Sequence, residues 1–564
     1  MADLSYSSGP STEPLRGETI PANFRRTAAA HPDAIALIDR GSDRRWTYAE
    51  FDADTDALAG ALLERGLGNG DRIGIWAQNV GEWALVQYAT AKIGAILVNV
   101  NPAYRAHELE FVVGQSGMTM LISQIAAPPH SDFHALATEV AASVPGLDLV
   151  FLDTVPDALT GTATIGERES FAHLLTQGRE LLADPGAKYA VRLEQAAAEL
   201  SADDPINIQY TSGTTGFPKG VTLSHHNILN NGYFIGELLS YSPADSVVLP
   251  VPYYHCFGMV IGNLAALSHG ASVILPSPGF DPAASLTAVA EERATSLYGV
   301  PTMFIAELGL PDFADYDLST LRTGVMAGSP CPVEVMRHVI DDMNMSEVAI
   351  CYGMTETSPV STMTRADDSL EARTQTVGRV MPHVEVKIVD PVTGQTMPRG
   401  QKGELCTRGY SVMLGYWEEP DKTAEAIDAA RWMHTGDLAI MDDDGYVDIS
   451  GRIKDMVIRG GENVYPREIE EFLYQHPAIS DVQVIGVPDE KYGEELMAWV
   501  ILKDGFDTLT AADVREFAEG RLAHFKIPRY VEVRDSFPMT VSGKIRKVEL
   551  REEGERIVHA GSSV

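Results

Sequence analysis

The stretch that decides the fold is residues 211–220, which read TSGTTGFPKG and follow INIQY at 206–210. A segment such as INIQY directly before a cluster of turn residues predicts a strand. The glycines permit tight turns and a close approach to a ligand, the hydroxyls supply hydrogen bonds, and Lys219 supplies a positive charge. The order GxxxxGKS/T of a Walker A loop is absent. The stretch therefore predicts a strand that leads into a phosphate-binding loop of another type.

Strand-like and helix-like segments alternate on both sides of this loop, up to about residue 384. A capping box, Thr47 with Glu50 three residues later, marks the start of one helix, and residues 83–93 predict another. Strands are predicted at residues 35–38, 72–76, 95–100, 246–250, 272–276 and 347–351. Such alternation is typical of parallel sheets with helices on both faces, so we expect an α/β protein with αβ-layered subdomains.

The pattern changes beyond residue 384 to short strands and turns, which predicts a small β-rich subdomain at about 384–451. A compact α/β segment follows, with helices at 466–476 and 511–522 and strands at 479–487, 497–502 and 530–533. We therefore expect a flexible N-terminal tail at 1–20, a large N-terminal domain at 21–451, a hinge at 452–455 and a small mobile C-terminal domain at 456–564. The charged end after Leu550 is expected to fray.

The composition narrows the class of partner. The chain has 79 acidic and 43 basic side chains, a net charge of −36, which argues against nucleic acid or an anionic membrane as a main partner. We expect no integral membrane segment, because no uninterrupted apolar run reaches about 18 residues. The N-terminus lacks the features of a secretory signal. The four cysteines have no CxxC spacing and fit small buried side chains. A cytoplasmic protein acting on small molecules is expected, and the oligomeric state stays open, a homodimer included.

Six motifs that follow one another along the chain resemble those of the adenylate-forming superfamily. They are YTSGTTGFPKGVTLSH at 210–225, PYYHCFGM at 252–259, YGMTET at 352–357, HTGD at 434–437, GRIKDMVIRGGENVYP at 451–466 and PMTVSGK at 538–544. The resemblance covers about residues 20–550, nearly the whole chain. Within the superfamily the sequence looks most similar to medium- and long-chain fatty acyl-CoA synthetases. This resemblance implies that ATP, Mg²⁺ and a fatty acid give an acyl-adenylate and pyrophosphate, and that CoA then takes the acyl group.

The resemblance also assigns residues to ATP. The residues that resemble its phosphate-binding loop are Thr211, Ser212, Gly213, Thr214, Thr215, Gly216 and Lys219. Thr355 resembles a phosphate contact, and Glu356 resembles the residue that helps to hold Mg²⁺, a hard cation that prefers oxygen ligands. Tyr352 resembles the aromatic residue that stacks on adenine. Asp437 resembles the carboxylate that accepts the ribose hydroxyls, and Arg452 a second ribose contact.

Further residues resemble those that act on the acyl group and on CoA. Lys544 resembles a cation that bridges the attacking carboxylate and the α-phosphate and thereby stabilises the transition state. The residues that resemble the lining of the adenine and acyl pockets are Gly328, Ser329, Pro330 and Gly353, with His255 as the aromatic residue on the acyl side. Lys454 matches the hinge residue about which the C-terminal domain of this family rotates between the two steps. That rotation replaces Lys544 by Gly460 and Gly461, which resemble the glycines beside the pantetheine tunnel.

The acyl chain length and the acceptor are less well defined. Acetate-specific relatives carry a tryptophan at the position of Gly353, so a deeper pocket and an acid of medium length or longer are expected here. An aryl-CoA or other carboxylic acid–CoA ligase and an enzyme that loads a separate carrier protein stay open as alternatives. Two more distant alternatives are a monooxygenase of luciferase type and a nucleotide sensor without activity. The intact motif residues argue against the sensor.

Overall fold

The computed structural model describes residues 3–127, 131–152, 164–165, 168–183, 188–211, 218–329, 331–459, 462–489, 491–519, 521–539 and 545–561. The chain divides into two compact units. The larger unit comprises Ser8–Val386 and Thr407–Met433, and the smaller unit comprises Met1–Ser7, Lys387–Cys406 and His434–Val564.

Two nine-stranded sheets form the framework of the larger unit. The strands of the first are, in spatial order, Thr164–Ile165, Arg168–Ser170, Asp148–Leu152, Met120–Gln124, Arg72–Trp76, Ile96–Asn99, Pro205–Thr211, Lys219–Ser224 and Gly415–Tyr416. Those of the second are Arg379–Val380, Val360–Met363, Glu347–Gly353, Thr323–Met326, Ser296–Gly299, Ser246–Val248, Ser272–Leu275, Ile35–Asp39 and Arg44–Thr47. The inner strands of both sheets are parallel, and the antiparallel pairs among these strands lie at the ends of each sheet. A short pair, Ala126–Ala127 with Ser131–Asp132, stands apart.

Helices of the larger unit bury apolar side chains against these sheets. The α-helices are Ile20–Ala30, Tyr48–Glu64, Gly81–Ile93, Ala106–Ser116, Phe133–Ser143, Phe171–Leu181, Lys188–Glu199, His225–Leu238, Ala265–Leu267, Pro282–Glu292, Pro301–Leu308, Val333–Asp341, Leu370–Gln375 and Pro420–Ala426. A π-helix spans Phe257–Leu264, and 3₁₀ turns span Phe313–Asp315 and Thr355–Thr357. This layered arrangement confirms the predicted α/β class.

A five-stranded sheet corresponds to the predicted β-rich subdomain. Its strands are Tyr6–Ser8, Val384–Val389, Gly403–Gly409, Met433–Met441 and Val447–Arg452. The rest of the smaller unit has a second sheet with the strands Glu462–Val464, Val457–Arg459, Gly493–Leu502, Ile479–Asp489 and Tyr530–Val533. Its helices are Pro466–Leu473, Ala511–Ala518 and Lys547–Gly561, with 3₁₀ turns at Ile453–Asp455 and His524–Lys526. The compact unit continues across the predicted hinge at 452–455, and rotation at that hinge stays a prediction.

Both ends of the chain differ from the expectation of loose tails. Near the N-terminus, Tyr6–Ser8 form an edge strand, and the backbone N–H of Ser5 donates to the Met397 carbonyl at 2.7 Å. This pairing depends on backbone groups, which leave no hydrophobic pattern in the sequence. At the other end, Leu550 lies on the helix Lys547–Gly561 and is fully buried in an apolar cluster of the smaller unit. Ile557 of the same helix packs against that cluster. Charged neighbours hide this narrow apolar stripe.

Three of the four cysteines, Cys256, Cys351 and Cys406, are buried, as expected for cysteines that act as small apolar side chains, whereas Cys331 is only partly buried. Among the residues that the structure describes, no helix is both long enough and apolar enough to cross a membrane.

Candidate active site

The predicted phosphate loop joins two neighbouring strands of the first sheet. Thr211 ends one strand, Lys219 begins the next, and the two residues face each other as the last pair of the antiparallel register. The sheet therefore fixes both ends of the loop. Ser212, Gly213, Thr214, Thr215 and Gly216 lie outside the described residues, so their role in phosphate binding stays a prediction.

A chain of hydrogen bonds links Lys219 to Glu356 through Tyr416. The Lys219 ammonium donates to the Tyr416 hydroxyl at 3.0 Å and lies 4.1 Å from the centre of its ring. The Tyr416 hydroxyl donates to Oε1 of Glu356 at 2.9 Å. Glu356 and Tyr416 are both buried, and burial together with the charge of Glu356 raises the pKa of Tyr416. A cation and a carboxylate from two predicted motifs thus share one site.

Glu356 and Thr355 lie on a 3₁₀ turn that follows the strand carrying Tyr352. The carbonyl of Glu356 accepts a hydrogen bond from the Met413 backbone N–H at 2.9 Å, and the Thr355 hydroxyl lies 3.8 Å from the sulfur of Cys256. Both side chains are buried. The motif YGMTET therefore presents its hydroxyl and its carboxylate from a turn that is held on two sides.

Gly353 has a packing reason of its own to be glycine. It pairs with Val360 at an irregular point of the register, and a Cβ atom there would lie 1.7 Å from the Pro359 carbonyl oxygen. Real Cβ atoms do not come so close to backbone, so any side chain would displace this segment. The absence of a tryptophan at this position therefore says less about acyl pocket depth than the sequence alone suggested.

The PYYHCFGM motif is tied to the strand that leads into the phosphate loop. Oε1 of Gln209 accepts a hydrogen bond from the Cys256 N–H at 3.2 Å, and Nε2 of Gln209 donates to the Tyr254 carbonyl at 3.1 Å. His255 is half-buried, and its Nδ1 accepts from the Phe257 N–H at 3.1 Å, which places the proton of a neutral ring on Nε2. A buried π-helix follows, a feature frequent at functional sites. Sequence reasoning named His255 but missed Gln209.

Gly328 and Ser329 follow the strand Thr323–Met326, which runs parallel to the neighbouring strand with Tyr352. Parallel strands end at the same edge of a sheet, so both motifs lie at the carboxyl edge, where ligands of open α/β sheets bind. Gly328 has a φ of +95°, a conformation that favours glycine. Pro330 lies outside the described residues.

In the smaller unit, the two residues assigned to ribose are already paired. Asp437 and Arg452 face each other on neighbouring strands, and Nε of Arg452 donates to Oδ1 of Asp437 at 3.1 Å. Asp437 is buried and Arg452 is exposed, so the guanidinium orients the carboxylate from the solvent side. Lys454 is exposed on the turn Ile453–Asp455. Gly460, Gly461 and Lys544 lie outside the described residues.

The strand segment that carries Asp437 is supported by Glu404, which sequence reasoning missed. Oε2 of Glu404 accepts from Nδ1 of His434 at 2.8 Å, and Oε1 accepts from the Gly436 N–H at 3.1 Å. Glu404, Cys406 and His434 each place one potential metal-ligating atom within 4.8 Å of the others. Because both oxygens of Glu404 already bond to the HTGD segment of this strand, we interpret the cluster as a support for that segment.

The comparisons with known proteins agree with these motifs. The model of the AMP-binding enzyme family matches residues 24–417, and that of the AMP-binding enzyme C-terminal domain matches residues 468–544. The protein YngI of Bacillus subtilis is 49% identical over 552 residues, covering 97% of this chain and 98% of that protein. The mitochondrial medium-chain acyl-CoA ligase ACSF2 of Danio rerio is 44% identical over 557 residues, covering 98% and 91%.

A solved structure extends the agreement to three dimensions. The crystal structure of ATP-bound MatB from Rhodopseudomonas palustris matches with a TM-score of 0.79 and 30% identity, covering 95% of this chain and 99% of that one. The residues that the AMP-binding enzyme model matches, 24–417, include the strands and the turn that carry Lys219, Tyr352 and Glu356. The chain therefore belongs to the AMP-binding enzyme family.

Proposed function

We propose that this enzyme uses ATP to activate a fatty acid of medium length or longer as an acyl-adenylate, and then transfers the acyl group to CoA with release of AMP. The observation that carries the proposal is the array of Lys219, Tyr416 and Glu356 beside the fixed ends of the glycine-rich loop. It provides a cation for a polyphosphate and a hard oxygen ligand in one place. The 44% sequence identity with the medium-chain acyl-CoA ligase ACSF2 of Danio rerio supports the choice of substrate.

In the first half-reaction, these residues bind and orient ATP. The charge of Lys219 acts on the phosphates, and the hydroxyl of Thr355 donates to a phosphate oxygen. The carboxylate of Glu356 is the donor type that fits Mg²⁺, which would neutralise charge on the phosphates. Asp437, oriented by Arg452, accepts the ribose hydroxyls.

We propose that Lys544 stabilises the meeting of the fatty carboxylate with the α-phosphate, where two negatively charged groups approach each other. Lys544→Ala should abolish acyl-adenylate formation and spare the transfer of a supplied acyl-adenylate to CoA. Lys503→Ala, which removes an exposed lysine of the same unit, is the matched control and should leave both half-reactions unchanged. If Lys544→Ala retains adenylation, the assignment is wrong.

The substrate class is tested by pyrophosphate release over acids of graded length from acetate to palmitate. Each buried methylene contributes about 0.8 kcal/mol, so kcat/KM should rise about fourfold per methylene until the pocket ends. A best kcat/KM for acetate or propionate would contradict the proposal, and a preference for benzoate would favour an aryl-CoA ligase. Mass spectrometry of the product with CoA alone distinguishes CoA from a carrier protein as the acceptor.

The location and the assembly need their own measurements. The expected cytoplasmic location stays a prediction, and the name of the relative ACSF2 places that protein in mitochondria. Fractionation of cells that make this protein would decide the compartment. Light scattering would decide between a monomer and the homodimer that the sequence left open.

A further inference from the structure

Tyr416 places an uncharged hydroxyl between a positive and a negative side chain. The direction of both hydrogen bonds follows from chemistry, because an ammonium only donates and an ionised carboxylate only accepts. Burial keeps the phenol protonated, so its oxygen accepts from Lys219 and its proton goes to Glu356. The hydroxyl thus lies between the two charged groups and bonds to both of them.

The backbone around Tyr416 is held to both of its partners. The strand Gly415–Tyr416 pairs with the strand that begins at Lys219, and the Trp417 N–H donates to the Gly220 carbonyl at 2.7 Å. Three residues before Tyr416, the Met413 N–H donates to the carbonyl of Glu356. This short segment therefore sets the distance between the strand of the cation and the turn of the carboxylate.

An ammonium and a carboxylate in a partly buried site attract each other strongly, and a direct pair would neutralise both. We propose that Tyr416 is a positioning residue whose hydroxyl prevents that direct pair, so that Lys219 acts on the phosphates of ATP and Glu356 acts on a divalent cation. This inference rests on the proposed function, because it assumes that ATP and a divalent cation bind at this site.

The test is Tyr416→Phe, which keeps the ring against Lys219 and removes the hydroxyl. Because the lost hydroxyl bonds to two charged groups, we expect Mg·ATP to bind about tenfold more weakly. This loss should be seen both in the KM for ATP and in the Kd for Mg·ATP measured by calorimetry. The KM values for fatty acid and CoA, and the transfer from a supplied acyl-adenylate to CoA, should not change. Tyr410→Phe is the matched control, because Tyr410 is also buried and its hydroxyl accepts a long hydrogen bond, 3.4 Å, from the amide of Asn231 and contacts neither Lys219 nor Glu356.

A second variant tests the mechanism. In a Lys219→Met background no ammonium remains to pair with Glu356, so Tyr416→Phe should weaken Mg·ATP binding less than it does in the wild type. The proposal would be overturned if Tyr416→Phe bound Mg·ATP as tightly as the wild type. It would also be overturned if the substitution slowed adenylation and the transfer to CoA by the same factor. If the wild type releases no pyrophosphate with any carboxylic acid, the proposed function fails, and calorimetry with Mg·ATP still decides the role of Tyr416.

Discussion

Glu307 is a buried acid whose cost to stability depends on pH. It lies on the helix Pro301–Leu308, is 1% exposed, and neither carboxyl oxygen has a hydrogen-bond partner within the described part of the chain. Burial alone raises the pKa of Glu307 well above its ordinary value of 4.5. The folded protein therefore keeps a proton that the unfolded chain gives up, and we predict that Glu307→Gln stabilises the larger unit at neutral pH.

The magnitude follows from the linkage between protonation and folding. A folded-state pKa above the unfolded value makes stability highest at acid pH and lowers it as the pH rises, until the folded-state pKa is passed. Each pH unit between the ordinary value of 4.5 and the raised pKa of Glu307 costs about 1.4 kcal/mol, so the destabilisation grows with pH over this range. Glutamine has nearly the same shape and no proton to release, so the substitution removes this cost.

Urea unfolding between pH 5 and pH 8 measures the effect. Tryptophan fluorescence reports mainly on the larger unit, because Trp499 is the only tryptophan of the smaller one. The advantage of Glu307→Gln over the wild type should grow steadily with pH, whereas Glu194→Gln, at an exposed position on another helix of the same unit, should show no such trend. A difference that does not vary with pH, or a wild type that is more stable at pH 7, would refute the reasoning.

Three other predictions concern glycine positions and charged sites. Gly353→Ala should destabilise the larger unit by several kcal/mol, because the added Cβ atom would clash with backbone. Gly114→Ala, in a helix with open space at the Cβ position, should stabilise the unit by about 0.5–1 kcal/mol. Thermal unfolding measures both changes, and equal effects would contradict the packing argument. Asp437→Asn weakens the pair with its arginine, so the KM for ATP should rise about tenfold with little change in melting temperature; an unchanged KM would remove Asp437 from the nucleotide site. In the smaller unit, a cavity of ≈ 90 Å³ is lined by Arg459, Arg515, Arg529 and His524. Arg515→Gln should therefore raise the KM for the polyanion CoA and leave the KM for the fatty acid unchanged; the opposite pattern in steady-state kinetics would contradict an anion site there.

The elements that could be predicted from the sequence are those with signals confined to neighbouring residues. The capping box of Thr47 and Glu50 forms as expected at the start of Tyr48–Glu64. The strands Arg72–Trp76 and Tyr530–Val533 begin and end at the predicted residues. In each case a local apolar pattern or a local hydrogen bond is enough to specify the element.

The parts that could not be predicted depend on contacts between distant residues. Tyr416 is 197 positions from Lys219 and 60 from Glu356, so nothing near it in the sequence marks its role. Glu404 is similarly 30 positions from His434. The motifs named the residues that we assign to ligands, but the side chains that hold those residues in place became visible only with the fold.

The edge strand Tyr6–Ser8 has a practical consequence for handling the protein. Its neighbour Val384–Val389 would become the exposed edge of the five-stranded sheet if the first residues were removed. Exposed strand edges pair with other molecules and promote aggregation. A version of the protein that lacks residues 1–9 should therefore precipitate more readily, even though every residue assigned to ATP is retained.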